Sequence, residues 1–507
     1  MNVNYRDSIK IVFYGINGHG LGHISRLLNI GRILKELCIS SYVKPEFIFL
    51  TTSEASHIAN EFPVYKIPTI QNINSEDLVA NTRFFISNLF GAFRPDIVVM
   101  DTFPAGSFNE FLMFKDFCKK RVFVNRHTKD SKNQSNEKTD LLGYYDLILT
   151  PDKPDNNFKY SIPDKVKYHK FTDTIHGFRP ELSLSREKTR DYFGISDDEK
   201  LIYVSAGGGG DKEAYNQIDT IISSFSKSQY NYKFIVGYGP LYNGKIHYKE
   251  NVIPYTGYDI RRFFNGLDGA VCAAGYNTYE ELLAARVPTA FYAQEKGTDR
   301  QDLRIKDGNR NGWNEIITDI NNLDELTTKV FAILNNPSET MPNLKNRPRP
   351  NGALNSATEI LKLYSMQSKS YLDTQAIYFV AQLYKAWSNT CNYHDIKYSD
   401  LAITAIRIQK AILGTELWSD LCEQCFIEHT NQREIPINQV KNALNLSYSA
   451  LQIGNSYPGI KMDSFVNDLE GFFRKTKSTT ITLNHFSKFI EERKRAHEKW
   501  KKHTRND

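Results

Sequence analysis

AVCAAGYNTYEELLAARVPTAFYAQEKGTDRQDLR, residues 270–304, is the stretch from which the fold can be read. An apolar run ends at Gly275, an amphipathic helix opens near Asn277 or Thr278, and after Pro288 a second apolar run leads into a polar loop. Short apolar strands joined by a helix are the repeating unit of a parallel sheet covered on both faces. The helix start offers unpaired N–H groups to a diphosphate, and a carboxylate such as Glu281 can accept two ribose hydroxyls. Glu280 and Glu281 could instead face solvent, but their setting between two glycine-ended strands argues for the ligand side.

Upstream, the same alternation continues. KLIYVSAG (200–207) and YKFIVGYG (232–239) join GAVCAAG (269–275) and PTAFYAQ (288–294) in one series. IKIVFYG (9–15), FIFLTTS (47–53), DIVVMD (96–101), RVFVNR (121–126) and DLILTP (146–151) form an earlier one. Between the series, residues 180–200 read as a linker with one short helix. The expectation is an α/β chain of two Rossmann-like domains facing a cleft, over 1–180 and 181–366. NRPRPNG (346–352) should interrupt the helical region that follows. Beyond residue 367, apolar positions such as Leu401, Ala405, Ile408 and Ile412 recur at helical spacing, so 367–507 is expected to be an α-helical appendage.

Two further glycine clusters follow strands. INGHGLGHISR places Gly18, His19, Gly20, Gly22 and His23 in a turn that opens a helix, which suits an acceptor or an anion. The spacing is not that of a dinucleotide fingerprint, and a plain tight turn is the simpler alternative. VSAGGGGDKEAY follows Ser205 with Gly207, Gly208, Gly209 and Gly210, a run able to form a phosphate nest. It lacks the ending of a P-loop, which disfavours ATP hydrolysis, and a surface turn is the alternative.

Bulk properties exclude other classes. The 507 residues are 40% hydrophobic and 24% charged, with a net charge of +6. Mean hydropathy is −0.48, and no apolar run reaches transmembrane length. The first residues, MNVNYRDSIK, contain no apolar signal core, so a cytoplasmic location is expected. Six scattered cysteines suggest reduced thiols, and the lone CxxC of Cys422 and Cys425 lacks the second pair of a zinc site. The basic end KFIEERKRAHEKWKKHTRND can touch anionic lipid peripherally, although its glutamates suit a solvated helix face. No nucleic-acid motif accompanies it.

At these motifs the chain resembles the family 28 glycosyltransferases, enzymes of the two-Rossmann-domain (GT-B) type, and among them the peptidoglycan N-acetylglucosaminyltransferases. The resemblance rests on Gly20, Gly22 and His23, on the Gly207–Gly210 run, and on Gly275, Thr278 and Glu281 followed by Asp299, Arg300 and Gln301. It covers residues 9 to about 365. Leu21 between Gly20 and Gly22, Ala274 before Gly275 and Asp302 after Gln301 depart from the family pattern.

The resemblance implies transfer of a sugar from a UDP-sugar, such as UDP-N-acetylglucosamine, to an unidentified acceptor, with inversion and without a metal or other cofactor. It places Glu281 on the ribose, Ser205, the glycine run and Gly275–Thr278 near the diphosphate, with Asn277 in that helix start, and Gln301 near the sugar. Such a transfer needs a base, for which His23 is the first candidate and Asp101 the second. Asp101 could instead cap a loop. Asn125, Arg126 and His127 end a strand on the acceptor side. A nucleotide-sugar hydrolase or epimerase, or a non-catalytic scaffold subunit, could use the same fold.

Overall fold

The computed structural model describes residues 7–16, 20–40, 43–69, 75–126, 140–152, 162–163, 166–210, 213–225, 231–294, 299–348, 352–365, 435–436, 460–476 and scattered positions from 480 to 499. Chain contacts group into two compact units. One comprises Met1–Ile9, Gly31–Glu46 and Leu354–Asp507, the other Lys10–Ile30 and Phe47–Ala353.

The larger unit holds most of the candidate site residues. The first sheet has seven strands, β1 (Asp7–Gly15), β2 (Val43–Thr51), β3 (Val64–Lys66), β4 (Ile97–Asp101), β5 (Lys120–Val124), β6 (Leu147–Thr150) and β7 (Tyr168–Phe171), in the order β3-β2-β1-β4-β5-β6-β7, with the starts of β1 and β2 counted in the smaller unit. The second has six, β8 (Lys200–Ser205), β9 (Tyr232–Gly237), β10 (Val252–Tyr255), β11 (Gly269–Ala273), β12 (Thr289–Tyr292) and β13 (Glu315–Ile317), in the order β10-β9-β8-β11-β12-β13. The pairings β1–β4 and β8–β11 are parallel. Each sheet therefore reverses its direction of growth once, between β1 and β4 and between β8 and β11. Ligands of such sheets bind outside the carboxyl ends of the strands at that reversal.

Sequence explains the strands. Every residue of β4, β6, β11 and β12 is buried, as a sheet covered on both faces requires. The covering helices of the larger unit include α1 (Gly22–Ser40, shared with the smaller unit), α2 (Ser75–Phe93), α3 (Glu110–Phe114), α4 (Arg186–Phe193), α5 (Ala214–Ser224), α6 (Tyr276–Ala285), α7 (Gln301–Arg310), α8 (Leu323–Asn335) and α9 (Pro337–Thr340). The segment read as a linker is packed rather than loose. Ser185 caps α4, Gly194 closes it with φ 65°, and Arg190 is buried on Asp268 at 3.2 Å.

In the smaller unit, α10 (Gly352–Ser365) follows the proline-rich break, and Tyr364 donates to the Ser8 carbonyl at 3.1 Å. Within 367–507 the described residues comprise α11 (Ile460–Thr476) and a short antiparallel pair, β14 (Ile435–Pro436) with β15 (Thr480–Ile481). That pair is a short strand element within the region expected to be an α-helical appendage. Leu401–Ile412, Cys422 and Cys425 lie outside the described residues. Among the described residues no helix is long and apolar enough to cross a membrane.

Candidate active site

At the β1–β4 reversal the chain leaves β1, turns, and enters α1 at Gly22. His23 and Arg26 lie one helical turn apart and therefore on the same face. Both reach Asp101, the last residue of β4. His23 Nδ1 is 3.2 Å from Asp101 Oδ2, and Arg26 Nη1 donates to both carboxylate oxygens at 2.7 Å. Thr102 Oγ1 adds a bond to Asp101 Oδ1 at 2.8 Å and lies 3.0 Å from His23 Nδ1.

Asp101 has no exposed side-chain surface, whereas 18% of His23's is exposed. Burial alone would raise the Asp101 pKa, but Arg26, His23 and Thr102 together hold it below the usual carboxylate range. An ionised carboxylate can only accept, so His23 faces it as a donor through Nδ1, and in the neutral ring Nε2 is the nitrogen that carries the lone pair. The loop after Asp101 is held under strain. Thr102 has φ 69°, a conformation unfavourable for a β-branched residue. Buried Glu110 fixes that loop by accepting from the backbone of Ser107 and Phe108 and from the Tyr14 hydroxyl.

At the β8–β11 reversal the groups are mostly backbone. Gly207 and Gly209 have φ of 86° and 83° with Gly208 between them, the alternation that forms anion-holding nests. Gly239 packs so closely beneath that a Cβ there would lie 2.2 Å from the Gly208 carbonyl carbon. Ser205 Oγ accepts from Gly207 N at 3.2 Å and donates to the Gly237 carbonyl at 3.3 Å, so its hydroxyl shapes the loop. Gly275 precedes α6, whose first residues are Tyr276, Asn277 and Thr278. The N–H groups of a first helical turn have no intrahelical acceptor.

The two reversals meet. A Cβ on Gly208 would lie 3.3 Å from Leu21 Cδ1, and Arg126, just beyond β5, pairs with Asp299 at 3.0 Å. Asp299 also pairs with Arg304 at 2.6 Å, and its carboxyl, pushed up by burial, is brought below the usual range by Arg304 and Arg126. Glu281 Oε1 accepts from Gly177 N at 3.0 Å and from Arg261 Nη1 at 3.1 Å. Gln301 is buried and accepts from Gln294 N at 3.0 Å, while Arg300 is exposed at the start of α7. Asn125 is buried, with its N–H on the Leu149 carbonyl. Gly20 is exposed beside the turn. Gly18, His19 and His127 lie outside the described residues.

Sequence reasoning did not single out Arg26, Thr102, Tyr276, Arg261 or Arg304. A signal existed for Arg26, which falls among Ile24, Leu27 and Leu28 on an otherwise apolar stretch and is fully buried. Glu280, considered beside Glu281, is taken up by Arg347 at 2.6 Å. Among the described residues no group of three or more His, Cys, Asp or Glu side chains is placed to hold a metal ion.

No protein-family model matches the chain, and no curated protein is similar to it in sequence. Solved structures are similar in fold at low identity. The glycosyltransferase of kitacinnamycin is 14% identical, with 69% of this chain and 98% of that one covered and a TM-score of 0.47. MurG of Acinetobacter baumannii is 16% identical, with 70% and 99% covered and a TM-score of 0.45. A putative UDP-N-acetylglucosamine 2-epimerase of Listeria monocytogenes is 14% identical, with 71% and 97% covered and a TM-score of 0.43. This chain is thus similar to solved glycosyltransferases, and to an epimerase, over about seven tenths of its length.

Proposed function

We propose that the chain is a glycosyltransferase that moves a sugar from a nucleotide sugar, with a UDP-sugar as the donor, to an acceptor hydroxyl or amine. The observation that carries this reading is the His23–Asp101 pair at one sheet reversal, beside a glycine loop and a helix start at the other. An inverting displacement needs a base at the acceptor hydroxyl, on the face of the sugar away from the diphosphate, and groups that take up charge on the departing diphosphate, and the two reversals supply one each.

In this reading residues 1–180 present the acceptor and 181–366 hold the donor. His23 Nε2 takes the acceptor proton. Asp101 is the positioning residue rather than the second base, since both its oxygens are engaged and it lies out of reach of any acceptor. It orients the ring and stabilises the imidazolium that forms. The backbone of Gly207–Gly210 and the α6 start take up charge on the departing diphosphate. Glu281 has one oxygen committed to Gly177 and Arg261, and its other oxygen is the ribose acceptor in this reading.

The test incubates the purified full chain with a panel of nucleotide sugars, with and without candidate acceptors, and follows both the nucleoside diphosphate and the sugar. Transfer predicts diphosphate release that depends on an acceptor. Stoichiometric free sugar without acceptor would make the protein a hydrolase, and an isomerised sugar an epimerase. Absence of binding to every nucleotide sugar in a thermal-shift panel would remove the enzymatic reading altogether.

A further inference from the structure

Three guanidiniums surround one aromatic ring where the two sheets meet. Arg26, Arg126 and Arg304 lie 5.7, 5.3 and 5.4 Å from the centre of Tyr276, the first residue of α6. Two carboxylates neutralise them, Asp101 on Arg26 and Asp299 on Arg126 and Arg304. Glu280, on the same helix, is matched by Arg347. One positive charge is therefore uncompensated among the described residues, and the α6 start adds the positive end of its dipole.

The excess charge is costly because it is buried. Arg26 is 0% exposed, and its Nε and Nη2 atoms have no hydrogen-bond partner among the described residues. Buried guanidinium N–H groups left unpaired cost more than ordinary polar atoms. The crowding also appears at Arg126, where burial and then Arg26 and Arg304 weaken its hold on its proton while Asp299 opposes them. A structural ion-pair network would end with charges and donors matched. This one ends with both in excess beside a helix start.

We propose that Arg126, from the first sheet, joins Arg304 and the α6 start in clamping the diphosphate of the nucleotide-sugar donor, with the buried Arg26 adding its charge from within the protein. This rests on the donor reading given above and assigns it three side chains. A diphosphate fits because planar guanidinium forks pair with phosphate oxygens two at a time. Arg126 and Arg304, 18% and 16% exposed, form the accessible edge, and Arg26 is buried with its Nε and Nη2 nitrogens unpaired among the described residues. The donor would then tie the first sheet to the second through its leaving group. Departure of the nucleotide would release that tie.

The experiment is calorimetric titration of inorganic pyrophosphate and of UDP into the full chain and into Arg126→Gln, Arg126→Lys and Arg26→Gln. The expected result is a loss of affinity of about tenfold or more for both ligands in Arg126→Gln and Arg26→Gln, with partial recovery in Arg126→Lys. If Arg26→Gln fails to fold, Arg126→Gln carries the test alone, since its side chain reaches solvent. Unchanged affinity in the folded glutamine variants, or no binding of pyrophosphate and UDP to the unaltered chain, would overturn the clamp. Arginine-dependent pyrophosphate binding without sugar transfer from any donor would sink the transferase reading and leave the clamp standing. Transfer with unchanged affinity in Arg126→Gln would do the reverse.

Discussion

The two sheet reversals have the same strand order and opposite chemistry. At β1–β4 the functional groups are side chains, His23, Asp101, Thr102 and Arg26, joined by direct bonds. At β8–β11 they are mostly backbone, Gly207–Gly210 and the start of α6, joined by Glu281 and Arg304, with side chains such as Ser205 and Gln301 spent on holding loops in place. The difference separates reaction from binding. Proton transfer needs a titratable group at a fixed point, whereas a diphosphate common to many substrates is held well by backbone dipoles.

Breaking the side-chain reversal should cost most. Asp101→Asn leaves Arg26 buried without its carboxylate, so a stability loss of about 3–5 kcal/mol is expected in denaturant melts. Turnover should fall as well, since the ring of His23 loses the acceptor that orients it. An unchanged melting curve would show that Arg26 finds another partner.

Breaking the backbone reversal should cost less and act differently. Gly209→Ala forces a side chain into φ 83° and within 2.6 Å of Tyr242, an expected destabilisation of about 1–3 kcal/mol. Its kinetic signature should be a raised donor KM. Glu281→Ala should raise donor KM by about tenfold with little change in kcat, because ribose contacts act alike on ground and transition states. An unchanged KM would leave Glu281 only its structural bonds to Gly177 and Arg261.

The smallest effect is a pH dependence that sharpens the contrast. Asp101 and Asp299 both have depressed pKa values in the folded chain, so their stabilisation is complete above the unfolded value of about 4 and is lost as pH falls through the folded values. The melting temperature should therefore decline below about pH 4, and less steeply in Asp299→Asn. An equal decline in that variant would remove the Arg126–Asp299–Arg304 contacts from the acid response.

How much of this was legible in the sequence follows from which strands and residues lack local signals. The nine strands read from apolar runs are the central ones of each sheet. In the two parallel sheets the four without such a run, β3, β7, β10 and β13, are all edge strands of three or four residues. Three of these have mostly part-exposed positions, so no continuous apolar run marks them. The glycine turns and His23 stood out because glycine clusters after strands are local features. Arg26, Tyr276 and Arg304 did not, because their meaning arises only when residues 26, 126, 276 and 304 converge in space. The resemblance places Gln301 near the donor sugar, and only the fold reveals its bond to the Gln294 backbone.

The division between a reacting reversal and a binding reversal is tested most directly by His23→Ala. A fall in kcat of about a hundredfold or more is expected with the affinity for UDP unchanged, read by steady-state transfer and by calorimetry on the same preparation. Unchanged turnover, or a loss of UDP affinity in proportion to the loss of rate, would contradict that division.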